Sequence, residues 1–99
     1  MEIRIQSIHF TADQKLLDFT NKKVGKLENF FDHIVDVDVY LKFDSAHSQI
    51  KEKTANIRLK VPGVTFDAEG QSTTFEVAID EAVESLKRQL KRHKEKIKN

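Results

Sequence analysis

Seven basic residues crowd into the stretch 87–98: Lys87, Arg88, Lys91, Arg92, Lys94, Lys96 and Lys98, against the single acid Glu95. Ammonium and guanidinium groups at such density do one kind of chemistry well, which is to hold phosphate oxygens. At about 100° per residue, a helix gathers Lys87, Lys91, Lys94 and Lys98 into one narrow stripe, broadened by Arg88 and Arg92. A second set repeats the device: Lys15, Lys22 and Lys26 align within about 40° on a helix, with Lys23 beside them. Acids near the start of the later segment (Glu76, Asp80, Glu81, Glu84) and bases near its end complement a helix dipole. That alone does not call for seven bases in so short a run. Rows of this kind are the electrostatic footprint of a partner for a polyanion. Few aromatic residues interleave with them in sequence, so phosphate contact and shape readout fit better than base stacking.

Other chemistries are poorly supplied. Asp44, Ser45 and His47 share one polar segment, but a nucleophilic triad needs a buried orienting acid and an oxyanion hole. His9, His33, His47 and His93 lack the spacing of metal ligands. The absence of Cys excludes a thiolate nucleophile, a zinc ribbon and a disulfide scaffold. There is no zinc-finger, P-loop or helix-turn-helix signature. No catalytic residue, cofactor, metal or small-molecule substrate is expected. No apolar stretch approaches a membrane span, and the N-terminus lacks the apolar region of an export signal. A small cytosolic protein without a membrane partner is expected.

With 99 residues, the chain is expected to form one domain over 1–99. Apolar residues make up 38% and charged residues 33%, with a net charge of +1; so small a net charge, with clear periodic patterns, disfavours disorder.

The elements that must carry the basic rows separate well. Residues 2–10 begin with alternation, Ile3 and Ile5 against Arg4 and Gln6, and break phase at Ser7-Ile8, which predicts a strand. Thr11 and Gln14 have the spacing of a capping box, so a helix is expected from Thr11 to about Phe31. Its apolar face reads Leu17, Thr20, Val24, Leu27 and Phe31. Gly25 costs that helix about 1 kcal/mol relative to Ala and is a candidate for close packing on the sheet. Residues 34–43 alternate most clearly: Val35, Val37, Val39, Leu41 and Phe43 against Asp36, Asp38, Tyr40 and Lys42. Ala55, Ile57, Leu59 and Val61 form a further run. The turn Pro62-Gly63 joins it to Val64, Phe66 and Ala68 as a hairpin. Thr74 is a candidate N-cap for a long helix, Phe75 to Ile97, whose buried stripe is expected to be Phe75, Ile79, Ala82, Leu86, Leu90, His93 and Ile97. His93, in that stripe, reads first as a packing histidine.

The order β-α-β-β-β-α, with a right-handed first crossover, predicts parallel pairing of the first two strands and an antiparallel meander for the rest. Each helix has one apolar stripe and the sheet one apolar face. The expected fold class is α/β (α+β), a two-layer sandwich with a four-stranded mixed sheet and both helices on one face. The basic rows then share the helical side, while Asp36, Asp38, Asp67 and Glu69 make the open sheet face acidic.

Two blocks carry a family resemblance. One is Lys23 through Ile34, with Lys26-Leu27-Glu28 and Phe31-Asp32. The other is Ala68-Glu69-Gly70-Gln71, then Ala78-Ile79-Asp80, then Arg88-Gln89-Leu90-Lys91-Arg92-His93-Lys94. The chain resembles, over essentially its whole length, the ribosome hibernation promoting factor and ribosome-associated inhibitor family in its short form. The resemblance implies the same β-α-β-β-β-α fold. It also implies binding in the small-subunit channel between head and body, across the paths of mRNA and of A- and P-site tRNA, so that translation stops and the idle ribosome is protected. The partners it implies are the small ribosomal subunit and its rRNA, with the protein a monomer off the ribosome. By position it assigns RNA binding to Lys23, Lys26, Arg88, Arg92, Lys94 and Lys96, with His93 among them. The stripe geometry adds Lys15, Lys22, Lys87 and Lys91. Two departures stand out: Ser72 to Val77 replaces an acidic-Met-Tyr stretch common in the family, and, with the sequence ending at Asn99, the dimerisation domain of long members is not expected.

Three rival readings remain. A general double-stranded RNA-binding module or RNA chaperone would use the same bases. A small hydrolase would use Ser45 and His47. A protein-interaction module would use Asp36 and Asp38.

Overall fold

The computed structural model describes residues 1–43 and 53–97. Strand β1 spans Glu2–Ile8 and helix α1 Gln14–Gly25, followed by a 3-10 turn, Lys26–Asn29. Strands β2 (Asp36–Phe43), β3 (Lys53–Val61) and β4 (Val64–Ser72) lead into helix α2, Phe75–Ile97. The sheet order is β1-β2-β3-β4, with β1 parallel to β2 and the other pairs antiparallel. This is the predicted two-layer fold with both helices on one face. Asp44, Ser45, His47 and Lys98 lie outside the described residues. No described helix is long and apolar enough to cross a membrane.

Period-two alternation puts Val37, Val39 and Leu41 of β2 and Ala55, Ile57, Leu59 and Val61 of β3 on the covered face. Leu16, Thr20, Val24 and Leu27 come down on them from α1 and its 3-10 turn, and Phe75, Ile79, Ala82, Leu86 and Leu90 from α2. Thr20 tolerates full burial because its hydroxyl donates to the Leu16 carbonyl at 2.8 Å.

Several local expectations are corrected. Asp13, not Thr11, caps α1: its carboxylate accepts from the Leu16 amide at 2.9 Å. The helix therefore starts later, and it ends at Gly25 rather than running to Phe31. Leu16 takes the buried place expected of Leu17, which is only half-buried. A Cβ on Gly25 would meet nothing within 4 Å, so that glycine serves no close approach. Gly70 does: a Cβ there would collide with the Ala78 carbonyl, so β4 runs directly under α2 only because position 70 is bare. Val35 is exposed and Ile34 buried, since β2 begins only at Asp36, two residues into the run 34–43. Ile97 leaves the sheet and is 65% exposed, so the buried stripe of α2 stops short of it.

The hairpin and the second helix follow the sequence closely. Gly63 supplies the left-handed backbone, φ +82°, that the turn after Pro62 needs. Thr74 caps α2, its hydroxyl accepting from the Val77 amide at 3.2 Å.

The open face of the sheet is not acidic in net effect. Arg4, Asp38, Arg58 and Asp67 stand opposite one another across all four strands. Arg4 donates to both oxygens of Asp38, at 2.6 and 3.1 Å, and lies within 3.4 Å of Asp36 and 3.2 Å of Glu2. Arg58 approaches Asp67 at 3.8 Å. Each predicted acid except Glu69 faces a base in a cross-strand ladder, so the face is charge-balanced.

Candidate nucleic-acid interface

Helix α1 sits beside α2 in the covering layer, and one ion pair joins them: Lys23 Nζ lies 3.0 Å from Asp80 Oδ1. Asp80 thereby marks the flank of α2 that faces α1. Counting by threes and fours from Asp80, the same flank carries Glu84, Lys87, Lys91 and Lys94. On α1 and the 3-10 turn that follows it, the matching row, Lys15, Lys22 and Lys26, is exposed, and Lys23 is half-exposed toward the partner helix. The two lysine rows thus border the groove between the helices. Arg92 and Lys96 belong to the opposite flank, where they line a shallow depression with Gln89, His93, Val64 and Phe66 at the β4 edge. Arg88 lies between the flanks on the solvent side. The C-terminal half of α2 is therefore basic on both flanks, with Glu95 the one acid among its exposed residues from Lys87 to Ile97.

The predicted residues differ in what they are free to do. Lys22, Lys26, Arg88, Lys91, Arg92 and Lys96 are exposed and enter no ion pair among the described residues. Lys23 is held by Asp80, with its ammonium 5.9 Å from the Phe19 ring centroid. Lys87 pairs with Glu84 at 3.1 Å, an exposed contact that a phosphate could displace at little cost. Lys94 is engaged structurally: it donates to the Phe30 carbonyl at 3.2 Å and lies 5.5 Å from the Phe30 ring centroid. His93 packs between Phe31 and Phe66, at centroid distances of 5.8 and 5.4 Å. Its half-buried ring joins the edge of the core, as its place in the apolar stripe suggested, and its remaining surface lines the depression beside Arg92 and Lys96.

Other residues of the Arg-Gln-Leu block also pack. Gln89 donates to the Asp67 carbonyl at 3.0 Å and fastens α2 to β4, while Leu90 is fully buried. Glu81 accepts from the Gln71 amide at 3.2 Å at the far end of the same seam. Scaffold and exposed bases therefore alternate along one motif. No group of three or more His, Asp or Glu able to hold a metal occurs among the described residues.

Sequence reading missed the aromatic neighbours of the basic rows. Phe30 and His33 lie some sixty residues before Lys91 and Lys94 in the chain, yet they border the same cleft. No local pattern encodes that juxtaposition.

The chain matches a family model described as Sigma 54 modulation protein / S30EA ribosomal protein over residues 3–98. It is similar to a ribosome hibernation promoting factor of Pseudomonas putida, 31% identical, with 97% of this chain and 89% of the relative covered. A ribosome hibernation promoting factor of Klebsiella oxytoca is 35% identical, with 99% and 98% covered. The fold is similar to that of a ribosomal subunit interface protein from Coxiella burnetii, with a TM-score of 0.83, 22% identity, and 95% of this chain and 98% of that one covered.

Proposed function

From the premise that this chain belongs to the Sigma 54 modulation protein / S30EA ribosomal protein family, we propose that it is a ribosome hibernation factor that acts by binding rather than by turnover. Its partner is the small ribosomal subunit, and its ligand there is rRNA. Bound in the channel between head and body, it occupies the paths of mRNA and tRNA, so that an idle ribosome is kept silent and protected. Residues 1–99 act as one ribosome-binding domain, monomeric off the ribosome and working where ribosomes work, in the cytoplasm.

The observation that carries this reading is the set of six exposed bases on the helical side that enter no ion pair among the described residues: Lys22, Lys26, Arg88, Lys91, Arg92 and Lys96. Phosphate contacts by such groups release counterions, which gives affinity and a strong salt dependence without base-edge readout. Specificity then comes from shape, because two rigid helices fix the spacing between the rows. The balanced ladder on the open face argues against that face as an electrostatic docking surface, and so favours the helical side.

Sedimentation with purified ribosomes and separated subunits, at two salt concentrations and against a generic RNA duplex, tests it. Stoichiometric binding to the small subunit that survives the competitor is expected. Loss of binding to the duplex would make the protein a general RNA binder. No association at either salt would overturn the ribosomal role.

A further inference from the structure

The basic rows acquire an aromatic wall only in the folded chain. The segment leaving the 3-10 turn passes beside the last turns of α2, and together they enclose an open cleft of about 640 Å³. Phe30, Phe31 and His33 line one side, and Lys91, Lys94 and Ile97 the other. Phe31 is buried, Phe30 half-buried and His33 exposed. Ile97, at 65%, is the most exposed large apolar side chain among the described residues. Apolar surface left open between two lysines contributes nothing to the core.

Charge restricts what this cleft can take. Lys91 is exposed and in no ion pair among the described residues. Lys94 is pinned over Phe30 and adds positive potential without swinging away. Asp32 and Glu95 border the same cleft and repel a second anion. Lys91 is therefore the cation open to a single phosphate, with Glu95 one helical turn away excluding a second, and the aromatic side is left to an uncharged, flat, polarisable group. Aromatic faces stack any base, and a flanking cation holds its phosphate.

We propose that this cleft takes one unpaired nucleotide of the bound RNA, its base against Phe30 and His33 and its phosphate on Lys91. The inference rests on the ribosome-binding reading for the identity of the RNA. It deepens that reading by adding one stacked base to an interface otherwise made of phosphate contacts.

Two measurements test it. In the first, the isotope-labelled protein is titrated with adenosine monophosphate and, in parallel, with ribose 5-phosphate, and followed by NMR. Adenosine monophosphate is expected to move the amides of residues 31–33 and 91–97 and to give cross-relaxation from the base to the Phe30 ring. Ribose 5-phosphate should move Lys91 and Lys94 at most. Equal responses to both, or none in the cleft to adenosine monophosphate, would overturn the proposal. So would cleft signals that shift with protein concentration alone, since a second copy would then be the occupant. In the second, Phe30→Leu keeps the apolar bulk but removes the ring. Its ribosome affinity should fall roughly tenfold, within the range of one lost stack, with an unchanged salt slope, while Lys91→Gln should lower the slope. A Phe30→Leu protein that binds as tightly as the natural one would sink the proposal. If the natural chain fails to sediment with ribosomes at all, the ribosomal reading falls, and the nucleotide titration alone decides the cleft.

Discussion

Lys23 of α1 ends 3.0 Å from the carboxylate of Asp80 on α2, so one of the cations expected at the RNA surface is already spoken for by the protein itself. Both side chains are substantially exposed, at 35% and 45%, and such a pair contributes at most about 1 kcal/mol to stability. Its larger consequence is electrostatic, because Asp80 offsets a positive charge on the groove between the helices. Asp80→Asn should therefore tighten ribosome binding by roughly two- to fivefold at low salt. It should lower the urea midpoint only slightly. Affinity by sedimentation and a denaturant titration check both halves. Weaker binding would mean that the pair orders the groove rather than masking it.

The free bases should report through salt. Lys26→Glu, Arg88→Glu and Arg92→Glu are each expected to weaken ribosome association and to reduce the slope of log affinity against log salt by about 0.7 to 0.9 per lost phosphate contact. All three side chains are exposed, so the far-ultraviolet circular dichroism and the unfolding midpoint should not change. The same charge reversal at Lys94 should behave differently. It removes the bond to the Phe30 carbonyl, so stability should fall along with affinity.

Gly70 offers a test of the packing that presents α2. Its missing side chain is what lets β4 pass beneath Ala78, and the obstructing atom is backbone, which cannot swing aside. Gly70→Ala should destabilise the domain by about 3 kcal/mol, the upper part of the range for overpacking. Gly25→Ala, with open space around it, should be neutral or slightly stabilising. Urea unfolding of the two variants makes the comparison directly.

The ladder on the open face predicts an acid-side effect. The Arg4 guanidinium, hydrogen-bonded to Asp38 and close to it in charge, holds that carboxyl below its ordinary value, with Arg58 adding to the effect. A depressed folded-state value stabilises the fold above the unfolded-state value of about 4, and that stabilisation is lost as pH falls through the folded-state value. The stability gap between the natural protein and Asp38→Asn should therefore be constant from neutral pH down to about 5 and close below about 4. Unfolding midpoints across that range would show it, and a gap that widened in acid would contradict the assignment.

How much was legible in the sequence differs from element to element. The runs 36–43, 55–61 and 64–68 alternate because each strand has one covered and one open side, and that constraint is local and periodic. The Thr74 cap and the Pro62-Gly63 turn are equally local. The start of α1 was harder, because Thr11 and Asp13 both offer an oxygen to a helix N-terminus. Asp13 Oδ1 reaches the Leu16 amide, and that contact sets the register in which Leu16 rather than Leu17 faces the sheet. The lysine rows were legible because helical periodicity is a property of the chain alone. What their members touch was not.

By itself, then, the sequence determined the order of the elements, most members of the buried stripes, the gathering of bases on two helices and the family. Each follows from periodicity, composition or a contiguous motif. Only the tertiary structure decided that Lys23 is paired and Lys94 pinned, that Gly70 rather than Gly25 is the contact glycine, and that the acids of the open face are balanced by bases. It alone brought Phe30 and His33 to Lys91. Each of these is a meeting of residues far apart in the chain, and such meetings are fixed by the packing of α2 against α1 and β4, which no local pattern records.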